Sequence, residues 1–282
     1  MATASAPASA ANLGPGFDVL ALAFELRCQV SATPSSEWRV RHIGPEAPDG
    51  QIFDIVLDAA QRGVGLERPM DLVVDNHIPI GKGLGSSAAA AAAGAAAAFR
   101  AGGEPADPEA LFELVATMEE HPDNAAAAVY GGLVLCPPDG TVRHLELHHS
   151  LVPFVAIPSD SLPTFEAREA LFNQVSRAVA VRSLGRMGAL MLGLVNGDDE
   201  LLAGAADDEM HEAPRNGIRP RVKESIRAAR AAGASHVCWS GAGPAVLAFV
   251  KSPNEDAVAQ ALAEAMPEAE VIRMSVATQG IR

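Results

Sequence analysis

Gly81, Gly83 and Gly85 alternate immediately before Ser86 and Ser87, and a long alanine tract follows. Glycine lets the backbone approach a ligand closely and take positive φ. Alanine has the highest helix propensity, so the tract reads as a helix fed by a glycine loop. The first N–H groups of such a helix point back into the loop, and its dipole adds positive charge there. Together these make an anion pocket suited to phosphate. The serine hydroxyls can cap the helix, touch phosphate or ligate Mg2+. Lys82 either adds charge to the loop or is a solvated lysine. The string is no Walker loop, which needs GxxxxGK[ST], and GKGLGS does not satisfy the dinucleotide fingerprint GxGxxG. A tight turn capped by serine, with no ligand, also fits these residues.

The longer string Pro79 to Ala89, PIGKGLGSSAA, resembles the phosphate loop of the GHMP kinases, Pro-x-x-x-Gly-Leu-Gly-Ser-Ser-Ala-Ala, with every fixed position filled. Pro7 to Leu22, PASAANLGPGFDVLAL, is similar to the opening of the homoserine kinases within that superfamily. His121-Pro122-Asp123-Asn124 followed by Gly131-Gly132 resembles the same branch, and the Pro-Ser-Gly string of mevalonate-type kinases is missing. Pro163-Thr164-x-x-Ala167-Arg168, Asp208-x-x-His211-x-x-x-Arg215 and Ser240-Gly241-Ala242-Gly243-Pro244 look like three further segments of that family, in order. There are departures. Glu120 stands where the family has glycine, and Thr117 where an acidic residue is common. Leu171-Phe172 replaces Leu-Pro, and Val179 to Ser183 lacks both polar residues of the family's Asp-Ala-x-x-Asn segment. The stretch between residues 40 and 55 reads as shortened.

The resemblance implies ATP-dependent phosphorylation of the L-homoserine hydroxyl, with ATP on the loop Pro79, Gly81, Lys82, Gly83, Leu84, Gly85, Ser86 and Ser87. Kinase chemistry is mainly positioning and charge neutralisation. Mg2+ takes oxygen ligands, and Ser87 plus one carboxylate from the helix over Pro105 to Glu120 would suffice. Glu119 is the first choice and Glu113 the alternative; six residues apart, they lie on different helix faces. An amino-acid acceptor needs a carboxylate clamp, which the planar arginine fork supplies. The resemblance places Arg168 and Arg215 there, and Asn12, Asp18, His121 and Asp123 at the amino and hydroxyl end. Gly241 lets backbone approach the substrate, and Thr164 sits beside the reacting phosphate. No strong base is evident. Asn124 occupies the position where other members carry a catalytic aspartate, and an amide cannot take a proton. It would orient a hydroxyl that loses its proton late, with His121 as the competing base. Another GHMP kinase acting on a small hydroxylated substrate, and a non-catalytic binding protein, are the alternatives.

The elements that must position these residues follow from pattern. The 282 residues suit two modest domains or one large one. Aromatics make up only 4%, so the core must come from alanine, valine and leucine. A net charge of −14, from 21 basic and 35 acidic residues, opposes nucleic acid or an anionic membrane as main partner. Cys28, Cys136 and Cys238 are scattered and odd in number, which speaks against a disulfide framework or zinc site. The first residues show no basic segment followed by an apolar one, so no signal peptide is expected and a cytoplasmic location is. Strands are expected at 38–43, 70–74, 151–157, 237–239, 246–250 and 271–276, and helices at 52–63, 105–120, 166–196, 198–210, 222–232 and 254–265. Residues 126–135 read as a small-residue turn and strand. Irregular alternation favours an α+β chain over a doubly wound sheet, with a boundary near residue 150. The resemblance implies an N-terminal ribosomal-protein-S5-like domain over 1–150 and a C-terminal ferredoxin-like domain over 151–282. Dimers in the superfamily make a homodimer the expectation by analogy.

Overall fold

A strand that the sequence pattern does not announce opens the chain: β1, Ala2–Ala11. Alanine is a poor strand former, but β1 pairs antiparallel with β2, Leu20–Pro34, from Ala2 opposite Ala32 to Ala11 opposite Ala21. Ala4, Ala6, Ala8 and Ala10 point to one face and are buried. The computed structural model describes residues 1–45 and 50–282. Of the stretch that reads as shortened, residues 46–49 lie outside the described residues.

The first sheet runs β3-β4-β2-β5-β6, with β1 pairing β2 off that path. Here β3 is Arg39–His42, β4 Met70–Asn76, β5 Leu133–Leu135 and β6 Arg143–Leu145. Helix α1, Gly50–Val64, precedes β4, and the alanine tract forms α2, Ser86–Ala101. Ala88 to Ala98 of α2 are all buried, which only small side chains permit on every side of one helix. Gly94 is the point of closest approach: a Cβ there would stand 3.1 Å from Val56 of α1. Helix α3, Pro108–Glu119, starts on an Asp107 side chain that accepts from the Ala110 N–H. Residues 122–130 form α4, Pro122–Tyr130, where the sequence reads as a turn. Pro122 at the first helical position and the run Ala125 to Ala128 explain the helix.

The second sheet runs β10-β7-β9-β8, all antiparallel: β7 Val152–Ile157, β8 His236–Trp239, β9 Val246–Val250 and β10 Glu270–Arg273. This order of four strands, with a helix before β8 and another before β10, is ferredoxin-like. Alternation divides its faces. Phe154, Val246, Ala248 and Trp239 pack under α9, Pro220–Ala231, and α10, Glu255–Ala265. Val155, Leu247 and Phe249 join the core of the first half. The expected helix over 166–196 is interrupted: α5 covers Thr164–Glu169 and α6 Arg177–Asn196, starting on a Ser176 cap. Helix α7, Asp199–Gly204, is shorter than the expected 198–210. Residues 275–282 leave the second sheet. They return to the first, where Ser5 and Arg282 exchange backbone hydrogen bonds of 3.0 and 2.9 Å and Arg27 donates to the Gly280 carbonyl.

One short helix, α8, Glu212–Ile218, carries Arg215 and is anchored at its start by buried carboxylates. Asp208 accepts from the N–H groups of His211 and Glu212, and Glu212 accepts from the Trp239 N–H at 2.7 Å. Burial pushes the Glu212 carboxyl up, the Trp239 N–H pulls it back, and the charge of Asp208 adds to the rise, to about 7. The unfolded carboxyl titrates near 4.5, so the folded chain holds the extra proton between these values. Stability from this group is therefore full below 4.5 and is lost as pH rises through 7. Glu212→Gln, which keeps the acceptor oxygen, should match the parent in urea unfolding at pH 4.5. It should exceed the parent by up to about 3 kcal/mol at pH 8.

Candidate active site

The glycine loop meets the second sheet edge-on. Gly83 has φ +76°, and a Cβ there would run into the Ser240 carbonyl. The Gly83 carbonyl accepts from Ser240 Oγ at 2.7 Å, and the Ala245 N–H donates to the Lys82 carbonyl. Gly85 has φ +66° and immediately precedes α2; a Cβ would strike Ser9 Oγ. No side chain caps α2. Ser87 turns away to donate to Glu119, and Ser86 Oγ is buried without a partner. A buried orphan hydroxyl beside uncapped N–H groups is what a phosphate site leaves when its ligand is not counted. The serine-capped turn is therefore not what forms.

Lys82 is not among the residues that line the cleft. Its Nζ donates to the carbonyls of Ser159 and Asp160 at 2.7 and 2.6 Å, tying the loop to the second half. Pro79, Gly81, Gly83, Leu84, Gly85, Ser86 and Ser87 all line a cleft of about 890 Å3. Glu119 lines it too, whereas Glu113 is exposed on α3 outside it, because the two stand on different faces of that helix. Burial pushes the Glu119 carboxyl up, against the Ser87 hydrogen bond and the charge of His121.

The other end of the same cleft gathers Asn12, Asp18, His121, Asp123, Asn124, Thr164, Arg168, Arg215 and Gly241. Asn12 takes φ +70°, accepts from the Asp18 N–H at 3.0 Å and donates to the Gly241 carbonyl at 3.1 Å. Arg168 pairs with Asp18 at 2.8 Å. Arg215 is buried and donates to the Gly241 carbonyl and to His211 Nδ1. His211 in turn donates from Nε2 to the Gly14 carbonyl at 2.7 Å. Burial, helped by the Arg215 charge, lowers His211 to about 4, which fixes this neutral tautomer. Burial and the nearby Arg168 bring Arg215 down to about 10, and it stays cationic at neutral pH. Both guanidinium groups lie over the Phe17 ring, 5.7 and 5.8 Å from its centroid.

Asp123 is buried and accepts from the Asn124 N–H at 2.7 Å, with His121 Nδ1 3.0 Å away on the same oxygen. Burial alone would lower His121, but the bond and charge of Asp123 outweigh it and the shift is upward. Asn124 Oδ1 accepts from Ser9 Oγ at 2.8 Å, which leaves its NH2 as the group to offer a substrate. Asp18, His121 and Asp123 bring ligand atoms within 4.8 Å of one another. The imidazole makes that trio less suited to Mg2+ than the all-oxygen Ser87–Glu119 pair.

Sequence reading passes over Ser9, Phe17, Ser240 and the α1 wall with Asp54 and Asp58. Phe17 sits inside the opening string and Ser240 inside the second glycine turn, so both were within reach of those motifs. Ser9 sits inside the opening string too, whereas α1 carries no motif and only the tertiary approach reveals it.

The geometry agrees with what the chain is similar to. The pattern of the GHMP kinases N terminal domain matches residues 51–132, and that of the GHMP kinases C terminal matches 190–268. Homoserine kinase of Moorella thermoacetica is 36% identical over 256 residues, covering 87% of this chain and 86% of that protein. A homoserine kinase of Thermus thermophilus is 37% identical over 261 residues, covering 91% and 89%. The crystal structure of homoserine kinase from Cytophaga hutchinsonii superposes with a TM-score of 0.85 at 27% identity, covering 100% of this chain and 96% of that one. With the phosphate loop, the paired arginines and near full-length relatives in agreement, the chain belongs to the homoserine kinase family of the GHMP kinases.

Proposed function

We propose that this kinase transfers the γ-phosphate of ATP to the side-chain hydroxyl of L-homoserine. The product is O-phospho-L-homoserine, on the route to threonine, and the setting is the cytoplasm. The observation that carries the reading is the Arg168–Asp18 ion pair beside buried Arg215, in the same cleft as the α2 mouth. A zwitterionic amino acid inserts into such a pair by exchange. Its carboxylate takes the guanidinium and its ammonium takes the carboxylate, so no charge is left unmatched. An uncharged sugar or a hydroxy acid without an amine would break the pair and satisfy only part of it.

The α2 mouth would hold the ATP phosphates. Ser87 and Glu119 fit Mg2+, since both offer oxygen, they meet each other, and both line the cleft at the α2 mouth. When bound with ATP, Mg2+ supplies charge neutralisation on the phosphates. Asn124 would donate its NH2 to the acceptor hydroxyl, Thr164 at the start of α5 would stand beside the transferring group, and the proton would leave late. The hydrogen bond and charge of Asp123 shift His121 toward its cationic form against the effect of burial, which suits it to steady charge more than to accept a proton. We also propose that the chain divides near residue 150 into the two expected units, with the tail 275–282 serving the first. A homodimer is proposed by analogy within the superfamily.

ADP release measured with L-homoserine, mevalonate and galactose should show turnover with L-homoserine alone; equal rates with the others would refute the assignment. Asn124→Ala should lower kcat by about 100-fold, while His121→Ala stays within about tenfold with an unchanged pH profile. A His121→Ala enzyme that loses a pH-dependent limb would make His121 the base. Glu119→Gln should raise the Mg2+ concentration needed for half-maximal rate by at least about tenfold, with KM for L-homoserine unaltered.

A further inference from the structure

Strand β8 opens on a buried histidine, His236, which is 2% exposed. Val237 and Trp239 of the same strand face α9 and α10, while His236 and Cys238 face the first half of the chain at Gly14. A valine at position 236 would lose no hydrogen bond to water on burial. An imidazole costs free energy there unless its polar atoms are bonded. Its bonds single out one segment. Nε2 lies 3.0 Å from the Leu13 carbonyl oxygen and Nδ1 3.3 Å from that of Leu202. Burial lowers His236 to about 4, so the ring is neutral near pH 7 and carries one N–H. The Leu202 carbonyl already accepts from the Ala205 N–H at 3.2 Å, whereas His236 is the donor that the Leu13 carbonyl meets among the described residues. The proton therefore belongs on Nε2, and Leu13 receives it.

That carbonyl belongs to a strained turn. Asn12, Leu13 and Gly14 take φ of 70°, 52° and 88° in succession. Glycine accepts this left-handed region freely and asparagine tolerates it, but leucine enters it rarely. Such a backbone persists only where its surroundings over-determine it. Two imidazoles from separate elements do so here. His211, at the start of α8, donates to the Gly14 carbonyl, and His236, at the start of β8, donates to the Leu13 carbonyl. His236 also closes the space beside the turn, since a Cβ on Gly14 would stand 3.2 Å from its Nε2. The same turn aims the acceptor end of the cleft. Asn12 accepts from the Asp18 N–H and donates to the Gly241 carbonyl, and Asp18 pairs with Arg168. His236 is not among the residues that line the cleft, and it lies in none of the strings that resemble the family. We propose that His236 is a positioning residue for the acceptor: by holding the Leu13 carbonyl it keeps Asn12 and Asp18 aimed into the cleft, without touching substrate itself. The proposal rests on the reading of that end of the cleft as the amino-acid site. A core histidine that only fills space would leave the KM for the acceptor unchanged.

Two amides of different length separate this role from simple packing. The glutamine NH2 reaches about as far as Nε2 and can serve the Leu13 carbonyl. The asparagine NH2 reaches only as far as Nδ1 and cannot. His236→Gln should keep the KM for L-homoserine within about threefold of the parent, and His236→Asn should raise it at least about tenfold, with kcat and the KM for ATP within about twofold in both. Both should keep the circular dichroism spectrum of the parent. Equal KM values for L-homoserine in the two variants, or a loss confined to kcat, would overturn the proposal. The parent alone supplies a second measurement, which stands even where His236→Asn does not fold. Histidine 15N NMR should show the Nε2–H tautomer at His236, and an Nδ1–H tautomer would overturn the proposal. A crystal structure of His236→Asn should show Leu13 outside the left-handed region or the Asp18–Arg168 pair broken; an unchanged turn and pair would overturn the proposal as well. A parent that fails to turn over L-homoserine would sink the substrate assignment alone, and the tautomer and the crystal structure would still decide the role of His236.

Discussion

The first backbone N–H groups of α2 have no side chain to satisfy them, and the surrounding structure keeps it so. Gly85 turns the chain into the helix in a left-handed conformation, with Ser9 packed where a side chain would otherwise stand. Gly83 lies against Ser240, so the loop is held from the second half of the chain as well. Ser87, the natural alternative cap, is engaged by Glu119. Polar groups left open at a helix start are unfavourable unless a ligand completes them. The fold thus maintains an electropositive mouth whose best occupant is a polyanion.

The acceptor end applies the same logic with the charges already paired. Asp18 and Arg168 neutralise one another, and Arg215 is held by carbonyls and a neutral imidazole rather than by a carboxylate. Arg215 therefore keeps its charge with no built-in carboxylate among its hydrogen-bond partners in the described residues. The tautomer of His211 matters here. With Nε2 donating to Gly14, Nδ1 is left to accept from Arg215 and aims it. The opening string Asn12 to Asp18 supplies the other half of this arrangement through left-handed Asn12, Leu13 and Asp18 and the Phe17 ring.

Most of the site was legible in the sequence because its parts are local strings. Pro79 to Ser87, His121 to Asn124 and the segments around Arg168 and Arg215 each fix backbone geometry within a few residues. The structure brings all of them to one cleft except Lys82 and Glu113. Lys82 stands outside that lining because its long side chain reaches two carbonyls of the second half. Glu113 failed because α3 turns it outward. The missed elements share one cause. Strand β1 and helix α4 are both rich in alanine, whose weak apolarity gives neither a strand nor a helix period that stands out. Only pairing with β2 makes the first a strand. Ser9 lies inside the opening string, but it meets Asn124 and Gly85 only because that strand forms.

The tail that returns from the second sheet lays residues 275–282 along β1 and β2, where Arg282 bonds to Ser5 and Arg100 and Arg27 grips Gly280. A ribosome makes the first half long before it makes those residues. The edge of β1 that carries Ser5 therefore stays uncovered until residues 280–282 have been made and can return to it. The strands of the N-terminal half are made early, but β1 is covered only by residues made after the whole second sheet.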